Sequence, residues 1–383
     1  METHRARQNA VQLAIIEARD QGGLDGRPVG VVFCTNQVDP ALDSLDQLAA
    51  TRAVARYLAE DLAVDAIIGP PSSGAAEVAF EVTGPAGVLM ISPSASSPAL
   101  TELEPDASDE SPGLLWRTVA PDSLQGRVIA DDLEMRGATN VALILERGSY
   151  GEGLAGVFEE NFDGAVERFE FATTSARNAA ATSAGSGAFD EVLFISSQTA
   201  DASAFLLFAA SFSGFADKQI FLTDSAKNLD LLTDAAGASD LFGQIRGTAP
   251  ELPAGVTYEA YLASYNAEFG EDASAFSFTA HAFDAAWLAV LGGYWATLQE
   301  DAVRGTQIAR GLRRISAGDA VQLGPSTLTA ARAAFEAGRS VDVRGASGEL
   351  DYDAQSEETR GPIGVWTITA DASGFQTDYA VTP

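Results

Sequence analysis

The sequence predicts an α/β protein with two domains, each a doubly wound, Rossmann-like parallel sheet with crossover helices. Short apolar runs alternate with segments of helical periodicity, which is typical of such sheets. The alternation stops at Ala120-Pro121 and then starts again. A chain of 383 residues with 46% hydrophobic content is also long enough for two separate cores. We therefore expect two similar domains.

The segment 87–98 (GVLMISPSASSP) is central to the first set of elements. Its apolar first half predicts a strand buried on both faces, and its serines and prolines end that strand. Ligands of open α/β sheets bind at the carboxyl ends of the strands, so this Ser-rich rim could receive an anionic group. The alternative interpretation is an ordinary strand exit capped by serines.

The remaining elements of the first half follow from apolar periodicity and from Gly and Pro breaks. We expect helices over 1–23, 43–61 and 75–82, and strands at 28–34, 64–69 and 114–119. The first helix has a broad apolar side and ends at Gln21-Gly22-Gly23.

The second half repeats the pattern. Asp122 and Gln125 resemble a capping box at the start of a helix. We expect strands at 141–145, 192–195 and 219–223, with helices after Tyr150 and over 202–212. A linker is predicted at 248–255, followed by helices over 258–269, 277–298 and on to about 338, and by a strand-rich tail over 348–369.

Composition narrows the classes of partner. The net charge of −31 disfavours nucleic acid and anionic membrane surfaces, which both require basic patches. No apolar run approaches the roughly 20 residues of a membrane-spanning helix. The acidic balance favours solubility in an exposed compartment or adaptation to salt, and it identifies no ligand.

Catalytic and metal-binding motifs are scarce. Cys34 is the single cysteine, and His4 and His281 are the two histidines, too far apart for a zinc-ligand spacing. No nucleophile elbow, P-loop or dinucleotide fingerprint is present. We expect no enzyme activity, no cofactor and no metal.

Polar side chains recur where predicted strands end. They are Ser72-Ser73, Ser94–Ser96, Ser149-Tyr150, Ser196–Thr199 and Asp224. If the two domains face each other, these groups converge on one cleft. The first domain would contribute hydroxyl groups, and the second a phenol and a carboxylate.

At these residues the chain resembles the type I periplasmic solute-binding proteins of the leucine/isoleucine/valine-binding kind. The matching segments cover nearly the whole chain in the family's order: 69–73, 87–100, 117–126, 149–154, 221–228 and 348–368. The resemblance implies two lobes joined by a multi-strand hinge. It implies a first lobe of 1–119 plus 251–346 and a second of 120–250 plus 347–383.

The resemblance also implies ligand-binding residues for an α-amino acid. Ser73 and Ser96 would bind the α-carboxylate, and Ser73 would do so at a helix N-terminus. The backbone carbonyl of Ser94 would face the ammonium, and Ala95 belongs to the same ligand loop. Two further ligand residues, from the second lobe, are Tyr150 and Asp224, of which Asp224 would pair with the ammonium.

Each of these residues also has a simpler structural interpretation. Ser73 could cap its helix, and Ser94 and Ser96 could satisfy loop backbone groups. Tyr150 could pack its ring at the lobe edge, and Asp224 could form a turn. The candidate side-chain pocket is assigned more loosely, to Ser72, Gln198, Thr199 and Phe276, with His281 as either a pocket or a packing residue.

The chain departs from the family in two ways. Family members have a central strand before the helix that opens this chain, so we expect a longer gene product with a signal or lipoprotein segment. The family's disulfide is also absent, because Ser72 stands where one partner is expected.

We therefore expect a periplasmic or cell-surface-tethered binding protein that captures a small amino acid and presents it to the membrane subunits of an ABC permease. A ligand-sensing receptor module of the same fold is the alternative, and an enzyme on a Rossmann-like fold is a weaker one.

Overall fold

A computed structural model describes residues 2–38, 45–104 and 106–383. The chain divides into two compact units. Unit 1 comprises residues 1–96, 100–120 and 252–360, and unit 2 comprises 97–99, 121–251 and 361–383. Each unit combines residues from distant parts of the sequence.

The elements are numbered in chain order. The α-helices of the described residues are α1 Glu2–Asp20, α2 Gln47–Arg56, α3 Ser73–Thr83, α4 Ser123–Met135, α5 Ser149–Asn161, α6 Thr174–Ser186, α7 Thr199–Ala210, α8 Leu229–Asp234, α9 Val256–Phe269, α10 Thr279–Gln299, α11 Gly305–Leu312 and α12 Thr327–Glu336. The strands are β1 Ala66–Ile68, β2 Leu89–Ser92, β3 Leu115–Arg117, β4 Asn140–Glu146, β5 Ala165–Phe171, β6 Glu191–Ile195, β7 Gln219–Leu222, β8 Ile245–Pro250, β9 Asp319–Gln322, β10 Val341–Arg344, β11 Ile363–Ile368 and β12 Phe375–Val381.

Unit 2 contains a seven-stranded sheet in the order β12-β11-β8-β7-β6-β4-β5. The pairs from β8 to β5 are parallel, whereas β11 is antiparallel to both of its neighbours. From β4 the chain continues to β5 on one side and then returns to add β6, β7 and β8 on the other side. Open α/β sheets bind ligands at such a point, where the strand order changes direction. All of β6 is buried, as expected for a strand covered by helices on both faces.

Unit 1 contains a three-stranded parallel sheet in the order β1-β2-β3 and a separate parallel pair, β9 and β10. Its largest core cluster centres on α10, of which 17 of the 21 residues are buried. Helices α1 and α11 pack directly against α10. The core of this unit is therefore mainly helical.

The predicted strand at 28–34 is wrong. Residues 28–38 are extended but join no ladder, and Val31, Val32 and Phe33 are exposed. A strand needs a neighbour for its backbone groups, and β1 pairs only with β2. Residues of this segment and of β1 line a groove of about 690 Å³, together with residues of α1, α2 and α10.

The repeating plan of helices and strands is confirmed, with several local corrections. Strands β5, β9, β10 and β12 and helices α6 and α8 were not predicted, and the predicted linker at 248–255 overlaps β8. Strand β9 also interrupts the helical stretch that was predicted to reach about 338. Strand β5 lies at a sheet edge and alternates exposed and half-buried residues over most of its length, so it lacks a continuous apolar run. The predicted start of the second helix lies at 43, outside the described residues; α2 begins after Asp46, whose side chain caps Ala49 N.

One boundary of the predicted lobes also differs from the observed units. Residues 347–360 were assigned to the second lobe but pack within unit 1. There Tyr352 packs on Trp116 with ring centroids 4.8 Å apart, and Glu357 forms an ion pair with Arg313. The short polar segments around these residues gave no sign of this packing.

Candidate functional site

The first half-site lies in unit 1, where β1 leads into α3. Ser72 precedes the helix in an extended conformation, and its side chain forms no capping hydrogen bond. Ser73 is the first helical residue and is buried. A helix start carries N–H groups without intrahelical partners and the positive end of the helix dipole. This end of α3 is therefore suited to an anion.

The loop that follows β2 is tied to the loop that follows β1. The Ser92 hydroxyl donates to Pro70 O (2.6 Å), and the Ser94 hydroxyl donates to Pro71 O (2.8 Å). The Ala95 N–H donates to the Ser92 hydroxyl (3.1 Å). These bonds use the Ser94 hydroxyl and the Ala95 N–H within the unit, which agrees with the structural interpretation of Ser94.

Ser96 differs from its neighbours in this loop. Its side chain is buried, with 3% exposure, and its hydroxyl has no hydrogen-bond partner among the described residues. A buried polar group without a partner costs about 1–3 kcal/mol. Ser96 therefore gains most among these serines from a ligand that accepts or donates a hydrogen bond.

The second half-site lies in unit 2, at the carboxyl end of β7. Asp224 is 6% exposed and accepts hydrogen bonds at Oδ1 from the hydroxyl of Tyr150 and from Gln125 Nε2 (3.2 Å). Gln125 Nε2 also donates to the Thr248 hydroxyl (3.2 Å). Burial, with Asp224 and Asp122 nearby, raises the pKa of Tyr150 well above its usual range, so the phenol remains a donor.

Gln125 and Thr248 lie beside Asp224 and are candidate site residues that sequence reasoning missed. The pattern at Asp122 and Gln125 suggested a capping box, but the Asp122 side chain makes no capping bond to α4. Gln125 instead points its amide at Asp224 and Thr248. The capping interpretation is therefore wrong. The match of 117–126 to the binding-protein family was the available signal that this helix start serves the site.

The candidate pocket residues are distributed over both units. In unit 2, Gln198 is exposed and donates to the Ser197 hydroxyl (3.1 Å). Thr199 donates to Ser225 O (2.7 Å) and accepts from Asn228 (2.7 Å), so its hydroxyl ties α7 to the loop after β7. In unit 1, Phe276 is half-buried.

His281 is buried in the first turn of α10 in unit 1. Burial, reinforced by nearby Arg7, lowers the pKa of His281 to about 3, so its ring is neutral near pH 7. Its Nδ1 has no hydrogen-bond partner within the described part of the chain. A neutral, buried imidazole of this kind is more suited to packing than to acid–base chemistry.

The two candidate half-sites offer several hydrogen-bonding groups and one buried carboxylate. They occupy equivalent places in their units, at the carboxyl ends of parallel strands and at helix starts. Such an arrangement defines a ligand-binding protein with two α/β units.

Comparison with known proteins agrees with this class. Residues 6–369 match the family model "Receptor family ligand binding region". The chain belongs to this family, has the fold of the type I periplasmic binding proteins of the branched-chain amino acid group, and is a binding protein rather than an enzyme.

Individual relatives cover different shares of the chain. The chemotactic signal transduction system substrate-binding protein BasB of Halobacterium salinarum is 26% identical over 97% of this chain and 86% of its own length. The leucine-specific-binding protein of Salmonella typhimurium is 32% identical over 38% of this chain and 36% of its own length.

A solved structure shares the fold over almost the full length. LivJ of Streptococcus pneumoniae in complex with isoleucine has a TM-score of 0.72 and 22% identity, covering 99% of this chain and 94% of that protein. In the described part of the chain, every helix is too short or too polar to cross a membrane.

Proposed function

We propose that this protein captures a small α-amino acid outside the cytoplasm and delivers it to the membrane subunits of an ABC permease. The α-carboxylate binds at Ser73 and Ser96, and the ammonium binds at Asp224 beside Tyr150. The two lobes close on the ligand, which shifts the protein toward the closed state. No cofactor takes part.

The observation that carries this proposal is the environment of Asp224. Its carboxylate is almost fully buried, and two neutral groups, the Tyr150 phenol and the Gln125 amide, donate to one of its oxygens. A buried carboxylate is a strong acceptor for a charged donor, because the low local dielectric strengthens such a hydrogen bond. A ligand ammonium supplies both a positive charge and three N–H donors.

The unit 1 half-site supports the same class of ligand. The start of α3 favours an anionic group, and Ser96 offers a buried hydroxyl for it. A carboxylate for one half-site and an ammonium for the other together describe a zwitterion. The names of several relatives, such as the leucine-specific-binding protein, support aliphatic amino acids as the first ligands to try.

A sensory role is the second candidate, and one relative favours it. BasB, which matches 97% of this chain, is named as the substrate-binding protein of a chemotactic signal transduction system. In that role the same ligand-bound protein would act on a transducer instead of a permease. A strain lacking the gene would lose chemotaxis toward the ligand but keep its uptake, whereas a transport protein gives the opposite result.

The first experiment is calorimetric titration of the wild type with leucine, isoleucine, valine, alanine, serine and glutamate. We expect a Kd of about 1 μM for one side-chain class. Asp224→Asn should weaken binding by roughly 30-fold or more, because a buried charged hydrogen bond is worth about 2–3 kcal/mol.

The matched control is Asp240→Asn, which changes the same side chain at an exposed position of unit 2. It should bind as the wild type does. Equal affinity of the Asp224→Asn and Asp240→Asn proteins would contradict the ammonium-binding role of Asp224. If the folded wild type binds none of the six amino acids, the proposal that the ligand is an amino acid of these classes is contradicted.

A further inference from the structure

We propose that Arg117 is a positioning residue for ligand binding: it holds the loop that carries Ser96 in its binding geometry and links this loop to the segment ending at 360. The inference rests on the proposed function only for the effect on affinity. Its structural part, the ordering of the loop, can be tested without any ligand.

The guanidinium of Arg117 is almost completely buried, with 1% exposure. Its Nε donates to Glu358 Oε2 (3.0 Å), and its Nη2 donates to Glu358 Oε1, which completes a bidentate pair. Nη2 also donates to the Thr101 hydroxyl (2.7 Å), which itself donates to Glu358 Oε1 (2.8 Å). Three side chains from distant parts of the sequence thus form one closed network.

The remaining guanidinium nitrogen reaches the ligand loop. Arg117 Nη1 donates to the carbonyl oxygen of Ala95 (3.2 Å), one residue before Ser96. On the other side of the same residue, the Ala95 N–H is held by the Ser92 hydroxyl (3.1 Å). The peptide groups before and after Ala95 are therefore both fixed, and together they set the position of Ser96.

A lysine at position 117 could not make the same set of hydrogen bonds. The guanidinium fork carries donors in a fixed plane, so one group can bind a carboxylate with two nitrogens and a carbonyl with the third. A lysine ammonium is a single point of charge and cannot span Glu358 and Ala95 in the same geometry. The loop would lose its anchor while the buried charge is retained.

The network also lies next to places where the chain passes between the units. The chain passes from unit 1 to unit 2 between residues 120 and 121, shortly after Arg117. It does so again between residues 360 and 361, shortly after Glu358. Tyr352 donates to the Arg117 carbonyl oxygen (2.8 Å), which adds a further bond between β3 and the segment before 360. The loop of Ser96 is thereby linked to two segments that lead into unit 2.

Unit 1 contains a matched control for this residue. Arg313 is also buried, with 10% side-chain exposure, and forms ion pairs with Glu357 and Asp109. It donates to Ala354 O (3.0 Å) and forms no hydrogen bond with the described residues 92–99. Replacing Arg313 therefore perturbs a similar network without touching the ligand loop.

The test compares Arg117→Lys and Glu358→Gln with Arg313→Lys and Glu357→Gln. Hydrogen exchange of the peptides covering 92–99 is measured in the ligand-free proteins, together with thermal unfolding. Arg117→Lys and Glu358→Gln should accelerate exchange of this loop by about tenfold or more, because a lost anchor of about 1.4 kcal/mol corresponds to a factor of ten. The Arg313 and Glu357 variants should lower the melting temperature but leave exchange of the loop unchanged.

Affinity is then measured by titration with leucine at a temperature where all variants are folded. We expect Arg117→Lys to weaken binding by about tenfold, mainly through faster dissociation, and Arg313→Lys to bind within twofold of the wild type. Unchanged loop exchange in both Arg117→Lys and Glu358→Gln would overturn the inference. Faster loop exchange in a protein that binds no amino acid would support the positioning role and contradict the proposed function instead. If Arg117→Lys does not fold, Glu358→Gln alone decides the outcome.

Discussion

The two units follow the same α/β plan but are stabilised differently. In unit 2, seven strands form one sheet, and the central strands are buried between helices. In unit 1, the main sheet has three short strands, and the largest core cluster is built around α10 and its helical neighbours. Backbone pairing thus organises unit 2, whereas helix packing organises unit 1.

The difference extends to the half-sites. In unit 2, hydrogen bonds from Tyr150 and Gln125 orient the Asp224 carboxylate within its own unit. In unit 1, the Ser96 hydroxyl is buried without such a partner among the described residues. The comparison shows that side chains of unit 2 hold the Asp224 carboxylate, whereas no described residue forms a hydrogen bond with the Ser96 hydroxyl.

The largest expected effect comes from truncating one core side chain in each unit. Trp287→Ala in unit 1 and Phe194→Ala in unit 2 should each cost about 3–5 kcal/mol, because both side chains are fully buried. Hydrogen exchange in urea should show that Trp287→Ala loosens α1 and α10, and that Phe194→Ala loosens β4 to β7. Uniform loosening of both units by either variant would contradict separate cores.

The second prediction concerns pH and unit 1. Burial raises the pKa of Glu17 from 4.5 to about 7, although Trp287 Nε1 donates to its carboxylate (3.3 Å). The folded protein therefore keeps this proton to higher pH than the unfolded chain does. The stabilisation from this group is fully present below about pH 4.5 and is lost as the pH rises through about 7. The free energy of unfolding should fall by up to about 3 kcal/mol over this range.

Glu17→Gln should remove this part of the pH dependence, measured by urea unfolding between pH 4.5 and 8. The control is Glu268→Gln, at an exposed position of α9, which should keep the slope of the wild type. A slope in Glu17→Gln as steep as in the wild type would show that Glu17 titrates normally in the folded protein.

The third prediction separates affinity from stability at the half-sites. Ser96→Ala should weaken leucine binding by about tenfold without lowering the melting temperature of the ligand-free protein, because the hydroxyl has no partner to lose and its burial is costly. Thr199→Val should do the reverse: it removes two hydrogen bonds within unit 2 and should cost about 1–2 kcal/mol of stability with little change in affinity. The opposite pattern in either variant would contradict its assignment.

The smallest expected effect tests the extended segment of unit 1. Val32 is 52% exposed and its backbone joins no ladder, so Val32→Asp should change the free energy of unfolding by less than about 0.5 kcal/mol. Val166→Asp, on the paired edge strand β5, should cost more, about 1 kcal/mol. A cost above 1 kcal/mol at Val32 would show that this segment is packed in solution as a strand.

The sequence was informative where the local pattern and the final packing agree. The apolar run before Ser92 predicted a buried strand, and β2 is buried at all four residues. The apolar run at 28–34 predicted a strand equally well and was wrong, because pairing depends on a neighbour that a local pattern does not reveal. Strand β5 was missed because an edge strand with charged residues lacks a continuous apolar run.

The candidate site shows the same limit. Residues at strand ends, such as Ser73 and Asp224, could be selected from the sequence because topology places strand ends together. The roles of Gln125 and Arg117 could not, because their partners, Asp224 and Glu358, are 99 and 241 residues away in the sequence. The sequence also could not tell that the Ser94 hydroxyl donates to Pro71 O whereas the Ser96 hydroxyl has no hydrogen-bond partner among the described residues.

The most direct test of amino-acid capture is calorimetry with three ligands that share one side chain: leucine, 4-methylpentanoate, which lacks the ammonium, and 3-methylbutylamine, which lacks the carboxylate. We predict that leucine binds with a Kd of about 1 μM and that each analogue binds at least roughly 30-fold more weakly, because each leaves one half-site without its charged partner. Binding of 4-methylpentanoate as tight as that of leucine would contradict the claim that Asp224 recognises the ammonium.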